Sequence, residues 1–242
     1  MKILPILILA AALFALIFFY RINQNPHEVQ VSNWNDGTDA FYQQVLTSSG
    51  NFEENTGEAI FDNQPVKSIT RQETETILAQ ASQKQVLGLH TAPDGTEKRI
   101  EIDLSDLKLF AWEGNRKVYE FSVSTGRPGY NTPTGEFRVW GKVRSQRYKG
   151  GTPGTSSYYN LPNVPYSLFF GGSGIPNWRG YAIHGAYWHN DFGIKNRSSG
   201  CVNVKPEEMA LIYNWAGPVM PSDVGALNAT DDNPGVRIVI HD

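Results

Sequence analysis

From Lys98 onward, apolar and polar side chains alternate with a period of two residues in the runs 98–104, 107–112 and 117–123. Alternation of this kind lets a strand turn one face to a core and the other to solvent. Glu113-Gly114-Asn115 separates the second run from the third, and a glycine turn between two such runs predicts a β-hairpin. The same criteria predict further strands at 135–143, 168–170, 181–184 and 236–241. Residues 98–242 are therefore expected to form a mainly β domain.

Helical patterns are few. A short helix is predicted at 40–46 behind Asp39, and a second begins at the capping box Thr70-Arg71-Gln72-Glu73 and ends before Gly88. A third, at 206–215, starts with proline and two glutamates, which suit the first turn of a helix. The composition agrees, because 23 Gly, 14 Pro and 12% aromatic residues favour a turn-rich β domain over a helical bundle.

The N-terminal part differs in composition. Residues 3–20 form an uncharged apolar stretch, about the minimum length that spans a bilayer, and its bulky end favours an uncleaved signal anchor over a cleaved signal peptide. The stretch 22–68 is polar and rich in Asn and Gln, which indicates a spacer. We therefore predict a transmembrane anchor at 1–22, a linker with a small helical region at 23–97, and the β domain at 98–242.

Charge is unevenly distributed along the chain. Residues 137–206 contain nine basic residues and one acid, a net charge of +8, whereas the whole chain carries −3, so the remainder carries −11. A basic stretch predicts an anionic partner, such as nucleic acid, an anionic envelope polymer or a carboxylate-bearing substrate; an evenly solvated surface is the alternative. Within it, the basic run 138–149 and the glycines after it are interpreted as a mobile loop that attracts such a partner. Solvated strand faces are the other interpretation of that run.

Cys201 is the only cysteine, which excludes an intramolecular disulfide and a cysteine-based zinc finger. It lies in Ser198-Ser199-Gly200-Cys201-Val202-Asn203, with 13 residues between His184 and Ser198. A thiol with a histidine is the minimal equipment for covalent catalysis, because imidazole can take the thiol proton. Gly200 would admit a substrate to the sulfur, and its amide and that of Cys201 would form an oxyanion hole. The alternative is that Cys201 is a small buried hydrophobe.

These residues resemble the thiol L,D-transpeptidases of bacterial cell walls, the YkuD-like catalytic domain. That family's signature is His-Gly followed by Ser/Thr-His-Gly-Cys, a hydrophobic residue, and Asn or Arg; His184-Gly185 and 198–203 match its two parts. The blocks 123–137 and 165–170 resemble the family's upstream segments. The resemblance covers residues 98–242 and implies that they are the catalytic domain, with an L,D-transpeptidase-like β-sandwich and one or two short helices.

The resemblance also implies roles for individual residues. Cys201 would be the nucleophile, His184 the general base, and Gly200 with Cys201 the oxyanion donors. Ser198 would order the loop and Asn203 would form hydrogen bonds in it. Further substrate-binding residues are expected at Ser199, Tyr187, Trp188 and His189.

The implied substrate is a peptidoglycan stem tetrapeptide. The thiolate would attack the carbonyl of its third residue and expel the terminal D-alanine, and an amine acceptor would resolve the acyl-enzyme. Carbapenem-type inhibitors are expected to acylate the same thiol. The sequence predicts no cofactor, because 171–174 lacks the pattern of a phosphate-binding loop, and no nucleic-acid partner. Because the substrate lies outside the cell, the catalytic domain is expected on the outer side of the cytoplasmic membrane, on a single-pass anchor.

Ser199 departs from the family pattern, in which many members carry histidine. We therefore ask whether Arg197 or His189 supplies positive potential at the sulfur. A zinc site formed by His184, His189, Asp191 and Cys201 is disfavoured, because a catalytic thiol gains nothing from permanent ligation.

Among other enzymes, sortase-like transpeptidases need an Arg soon after the cysteine, and papain-like peptidases place the cysteine before the histidine. A membrane-tethered peptidoglycan-binding protein with weak or no activity remains the alternative function.

Overall fold

A computed structural model of the chain describes residues 38–83 and 95–242. The predicted membrane anchor at 1–22 and the first part of the predicted linker lie outside the described residues, as does the predicted helix end near Gly88. Among the described helices, none has the length and apolar character needed to cross a bilayer.

The described part is mainly β, with three short α-helices. Its helices are α1 (Thr38–Leu46), α2 (Arg71–Gln83) and α3 (Pro206–Trp215), with one 3₁₀ turn at Asn177–Arg179. Its strands are β1 (Ala59–Phe61), β2 (Gln64–Val66), β3 (Lys98–Asp103), β4 (Lys108–Glu113), β5 (Arg116–Ser122), β6 (Gly135–Gly150), β7 (Tyr159–Gly171), β8 (Ala182–Gly185), β9 (Val202–Val204), β10 (Ala226–Asn228) and β11 (Arg237–His241). The predicted helix at 206–215 and the predicted hairpin of β4 and β5 are both present.

The strands form one hydrogen-bonded network in the order β2-β1-β7-β6-β11-β3-β4-β5, with β10 on β6 and with β8 between β7 and β9. The long strands β6 and β7 pair with each other and connect the two ends of this network. Irregularities interrupt their register near Val139 and Gln146. Such bulges bend and twist a long antiparallel pair, so that one network can curve around a core.

The basic run 138–149, interpreted as a mobile loop, lies within β6, and the loop starts only after Gly150. Lys142 explains how a basic residue fits a buried strand. Its side chain is 3% exposed, and Nζ donates to the carbonyl oxygens of Ala216 and Pro218 at 2.9 and 3.1 Å, just past the end of α3. An ammonium group there satisfies carbonyls that the helix leaves unpaired.

Helix α3 packs on the sheet behind the Cys201 region. Met209, Ile212 and Trp215 are buried in the same core as Ile183 of β8 and Val202 of β9. Because β8 and β9 are fully buried on this core, they form a rigid support for the residues at their ends.

The described part of the predicted spacer, residues 38–68, contains regular structure: helix α1 and strands β1 and β2. Strands β1 and β2 form a hairpin whose turn residues, Asp62 and Asn63, both have positive φ (51° and 58°), as a two-residue type I′ turn requires. Ile60 pairs with Asn160 of β7, and the Asn63 amide donates to the Tyr158 carbonyl at 3.0 Å. This hairpin therefore extends the sheet of the predicted catalytic domain.

Candidate active site

Two neighbouring parallel strands bring the cysteine and the histidine together. In the pairing of β8 with β9, Ile183 faces Val202 and His184 faces Asn203. Cys201 directly precedes β9, so it lies at the level of Ala182, two residues from His184 along the adjacent strand. Both side chains line one pocket, whose walls are Phe61, Arg127, Tyr148, Tyr159, Leu161, His184, Trp188, Arg197, Ser198, Ser199, Cys201 and Asn203.

His184 is a neutral base. Burial lowers its pKa to about 4. Nδ1 lies 3.2 Å from the Gly185 carbonyl oxygen, and a carbonyl only accepts hydrogen bonds, so Nδ1 carries the ring hydrogen. Nε2 is therefore the nitrogen with a free lone pair. The ring is held against Tyr148, with 4.8 Å between the ring centroids.

Cys201 is a neutral thiol in this arrangement. It keeps partial exposure, and burial of the sulfur raises its pKa to about 11. Sγ donates weakly to the Gly180 carbonyl oxygen at 3.9 Å. Near pH 7 these pKa values correspond to a neutral thiol and a neutral imidazole, not to a preformed thiolate–imidazolium pair.

Ser198 closes the loop that carries the thiol. Its Oγ accepts from the Gly200 amide at 3.0 Å and donates to the Cys201 carbonyl at 2.5 Å. The Gly200 carbonyl accepts from Thr132 Oγ1 at 2.9 Å. Because the Gly200 amide hydrogen points to Ser198, its role as an oxyanion donor stays a prediction.

Glycine is required at position 200 for a reason other than substrate access. Gly200 has φ of 116°, in a region that L residues rarely adopt, and a Cβ there would lie 2.5 Å from Cε1 of Tyr181. The tight approach of Tyr181 therefore fixes the backbone next to the nucleophile.

His189 supports the wall of the pocket behind Asn203. Its Nδ1 accepts from the Asp191 amide at 3.2 Å, and burial lowers its pKa to about 4, so Nε2 of the neutral ring carries the hydrogen. Asn203 Nδ2 stands 2.9 Å from Nε2, while Oδ1 is buried without a partner within the described residues. Turning the amide so that Oδ1 accepts from Nε2–H satisfies both groups, and we assign it that way.

Arg197 is neutralised by carboxylates. Its Nε lies 2.5 Å from Asp191 Oδ2, and its Nη1 lies 3.6 Å from Asp62 Oδ2 in the hairpin turn. With Arg197 paired and His189 neutral, neither residue supports the hypothesis that they supply positive potential at the sulfur. In the described ranges, no three His, Cys, Asp or Glu side chains cluster as metal ligands would.

Of the remaining predicted site residues, Ser199 and Trp188 line the pocket, while Tyr187 does not. The Tyr187 hydroxyl donates to the Pro162 carbonyl at 2.5 Å, and its side chain faces a neighbouring groove. The sequence analysis missed five pocket residues: Phe61, Arg127, Tyr148, Tyr159 and Leu161. Arg127 lies within a block that resembles the family, but nothing near Phe61 signals a role.

Comparison with known proteins identifies the family. The YkuD family model, the L,D-transpeptidase catalytic domain, matches residues 97–240. The chain belongs to this family. No curated protein sequence matches it.

Several solved structures are similar to this L,D-transpeptidase domain. An L,D-transpeptidase from Mycobacterium smegmatis is 22% identical, with 61% of this chain and 60% of that one covered and a TM-score of 0.47. The chain thus spans about three fifths of that relative's length. The catalytic domain of an E. faecium L,D-transpeptidase, solved acylated by ertapenem, is 23% identical over 60% of this chain and 98% of that one, with a TM-score of 0.42. An L,D-transpeptidase from Xylanimonas cellulosilytica is 20% identical over 72% and 71% of the two chains, with a TM-score of 0.42.

Proposed function

We propose that the chain is a cysteine L,D-transpeptidase that acts on peptidoglycan stem tetrapeptides through a thioester on Cys201. The observation that carries this proposal is the pairing of β8 with β9, which brings the only cysteine and a buried, neutral histidine into one pocket. Membership of the YkuD family supports the reaction class.

In the proposed acylation, His184 Nε2 takes the proton of the thiol while Sγ attacks the carbonyl carbon of the third stem residue. The carbonyl electrons move to the oxygen, which accepts from the Cys201 amide in the proposed oxyanion hole. The imidazolium then gives its proton to the nitrogen of the leaving D-alanine as the C–N bond breaks. A thioester remains on Sγ.

In the proposed transfer, an amine acceptor attacks the thioester and gives a proton to Nε2. The tetrahedral intermediate collapses with cleavage of the C–S bond, and the proton returns to the sulfur. Tyr148, Trp188 and Leu161 give the pocket an apolar lining beside the thiol.

We further propose that residues 1–22 anchor the protein in the cytoplasmic membrane, with the catalytic domain on its outer side. The support is the apolar sequence of 3–20 and the location of the proposed substrate. A protease added to intact spheroplasts should remove a tag placed after Asp242. Protection of the tag until the membrane is lysed would contradict this orientation.

The test of the reaction is the intact mass of the detergent-solubilised full chain after incubation with a disaccharide tetrapeptide and, separately, with a carbapenem. We expect an adduct on the wild-type chain, release of D-alanine from the tetrapeptide, and neither event with Cys201→Ala. A folded protein whose thiol reacts with iodoacetamide but forms no adduct would instead favour the peptidoglycan-binding alternative.

A further inference from the structure

Arg127 lies on the wall of the pocket that holds Cys201 and His184, and its guanidinium has no carboxylate partner among the described residues. Within 38–83 and 95–242, no acidic side chain stands within ion-pair distance of it, and no hydrogen bond of its guanidinium is formed with another residue. The other pocket arginine, Arg197, is shared by Asp62 and Asp191. A half-buried cation that lines a pocket and has no acidic partner among the described residues attracts an anionic ligand.

The backbone ties Arg127 to the loop of the nucleophile. Its amide donates to the Ser198 carbonyl at 3.0 Å, and the preceding Gly126 forms a parallel bridge with Ser198. Ser198 in turn is bonded to the Cys201 carbonyl. The backbone of Arg127 is thus linked through Ser198 to the loop that carries the thiol, and a substrate-binding group needs such a fixed position.

The side chain of Arg127 also contacts an aromatic ring. Its guanidinium carbon lies 4.6 Å from the centroid of the Tyr130 ring. A cation–π contact of this kind does not use the guanidinium N–H groups as hydrogen-bond donors, and those N–H groups match the two oxygens of a carboxylate.

Tyr159 is close enough to both Arg127 and Cys201 for each to influence its pKa. Burial raises the pKa of Tyr159 to about 12, a charge on Cys201 adds to the rise, and the Arg127 guanidinium opposes it. One phenol therefore lies within electrostatic reach of both groups, on the wall of the same pocket.

The chemistry of the donor suggests the ligand. A stem tetrapeptide ends in a D-alanine carboxylate, which lies one residue beyond the attacked carbonyl, and one residue spans about 3.8 Å. Resting on the proposed function, we propose that Arg127 binds the terminal carboxylate of the donor tetrapeptide and makes the enzyme selective for donors with a free C-terminus.

The carboxylate is present in both the ground state and the transition state of acylation. Its contact with Arg127 is therefore uniform binding, which changes KM more than kcat. A charge-assisted, bidentate contact corresponds to a roughly 10- to 100-fold preference for the carboxylate over an uncharged amide.

The experiment compares two donors, a disaccharide tetrapeptide with a free C-terminal carboxylate and the same molecule with a C-terminal amide. The full chain is tested as wild type, Arg127→Gln and Arg127→Lys. Arg116→Gln is the matched control, because Arg116 is 68% exposed at the β4–β5 turn and outside the pocket. The readout is release of D-alanine or D-alaninamide, resolved into kcat and KM.

We expect the wild type and Arg116→Gln to prefer the carboxylate donor about 10- to 100-fold in kcat/KM, mostly through KM. Arg127→Gln should lose this preference because its kcat/KM falls much more for the carboxylate donor than for the amide donor, and Arg127→Lys should restore part of it. Equal loss on both donors, or an undiminished preference in Arg127→Gln, would overturn the inference.

A binding measurement separates the inference from the reaction. Calorimetry of both donors with Cys201→Ala and with Cys201→Ala/Arg127→Gln requires no turnover. If Cys201→Ala binds the carboxylate donor selectively through Arg127 while the wild-type chain releases no D-alanine, the proposed function is refuted and the Arg127 contact is supported. Turnover without such selectivity would do the reverse.

Discussion

The most discriminating property of the proposed site is the neutral state of its thiol, and pH is the perturbation that tests it. With a pKa of about 11 for Cys201, roughly one thiol in 10,000 is ionised at pH 7, compared with about 3% of a free cysteine of pKa 8.5. Because only the thiolate reacts with an alkylating reagent, the rate should rise about tenfold per pH unit from pH 6 to 10.

Acylation by substrate should follow a different pH profile. His184 has a pKa of about 4, so it is a competent base throughout the neutral range and is lost only when it is protonated in acid. We expect kcat/KM for the tetrapeptide to be flat above about pH 5 and to fall below about pH 4. The ratio of acylation to alkylation rates should therefore fall steeply with pH.

The assay follows iodoacetamide labelling of the full chain by intact mass at each pH, with Cys201→Ala as the control for other sites. The chain unfolded in urea gives the rate of an ordinary thiol. A labelling rate that is already at its plateau between pH 6 and 8 would reveal a preformed thiolate. That result would refute both the neutral pair and the inference that proton transfer accompanies attack.

Three further substitutions test the loop at Cys201, the pocket wall and the buried lysine of β6. Gly200→Ala should lower the free energy of unfolding in urea by about 1–3 kcal/mol and reduce acylation, since its Cβ would meet Tyr181 at positive φ, whereas Gly174→Ala, with φ of 78° and open space around it, should cost less. Phe61→Ala should raise KM for the tetrapeptide severalfold, because its ring is part of the pocket wall, with 6.0 Å between the ring centroids of Phe61 and Trp188. The control Phe52→Ala changes a residue of the same segment outside the pocket and should not raise KM. Burial lowers the pKa of Lys142 to about 7, so between pH 7 and 10 the unfolded state binds more protons than the folded state. The free energy of unfolding of the wild type should therefore rise over this range by up to ~1.4 kcal/mol per pH unit relative to Lys142→Met. Parallel pH dependence of the two unfolding curves would contradict the Lys142 prediction.

Local sequence patterns predicted the helix and the hairpin whose first residues or turn residues follow known rules. Helix α3 begins with Pro206 and two glutamates and has the predicted bounds, and the β4–β5 hairpin has the glycine turn that predicted it. The long strand β6 was only partly predicted, because its basic residues resemble a solvated loop. What makes it a buried strand is tertiary, since Lys142 finds carbonyl partners beyond α3 that are more than 70 residues away.

In the candidate site, too, the features encoded locally were predictable and those that depend on tertiary contacts were not. His184 and Cys201 are recognisable because the family pattern lies in two short segments of sequence. The state of their protons could not be predicted, because it depends on burial by side chains from β6, β7 and the hairpin. The hypothesis that Arg197 or His189 supplies positive potential at the sulfur could not be decided from sequence. The acidic partners of Arg197 are Asp191 nearby and Asp62, which is 135 positions away in the sequence.

The β1–β2 hairpin connects these observations. It lies outside the segment that matches the family, yet it contributes Phe61 to the pocket and Asp62 to the ion pairs of Arg197. By neutralising Arg197, Asp62 helps to leave Arg127 as the pocket cation without an acidic partner among the described residues. An anionic substrate that enters this pocket therefore meets one available guanidinium instead of two. Asp62→Asn should therefore leave the preference for the carboxylate donor in the otherwise wild-type chain unchanged or slightly larger. In the Arg127→Gln background it should restore part of that preference in kcat/KM, because part of the charge of Arg197 is released.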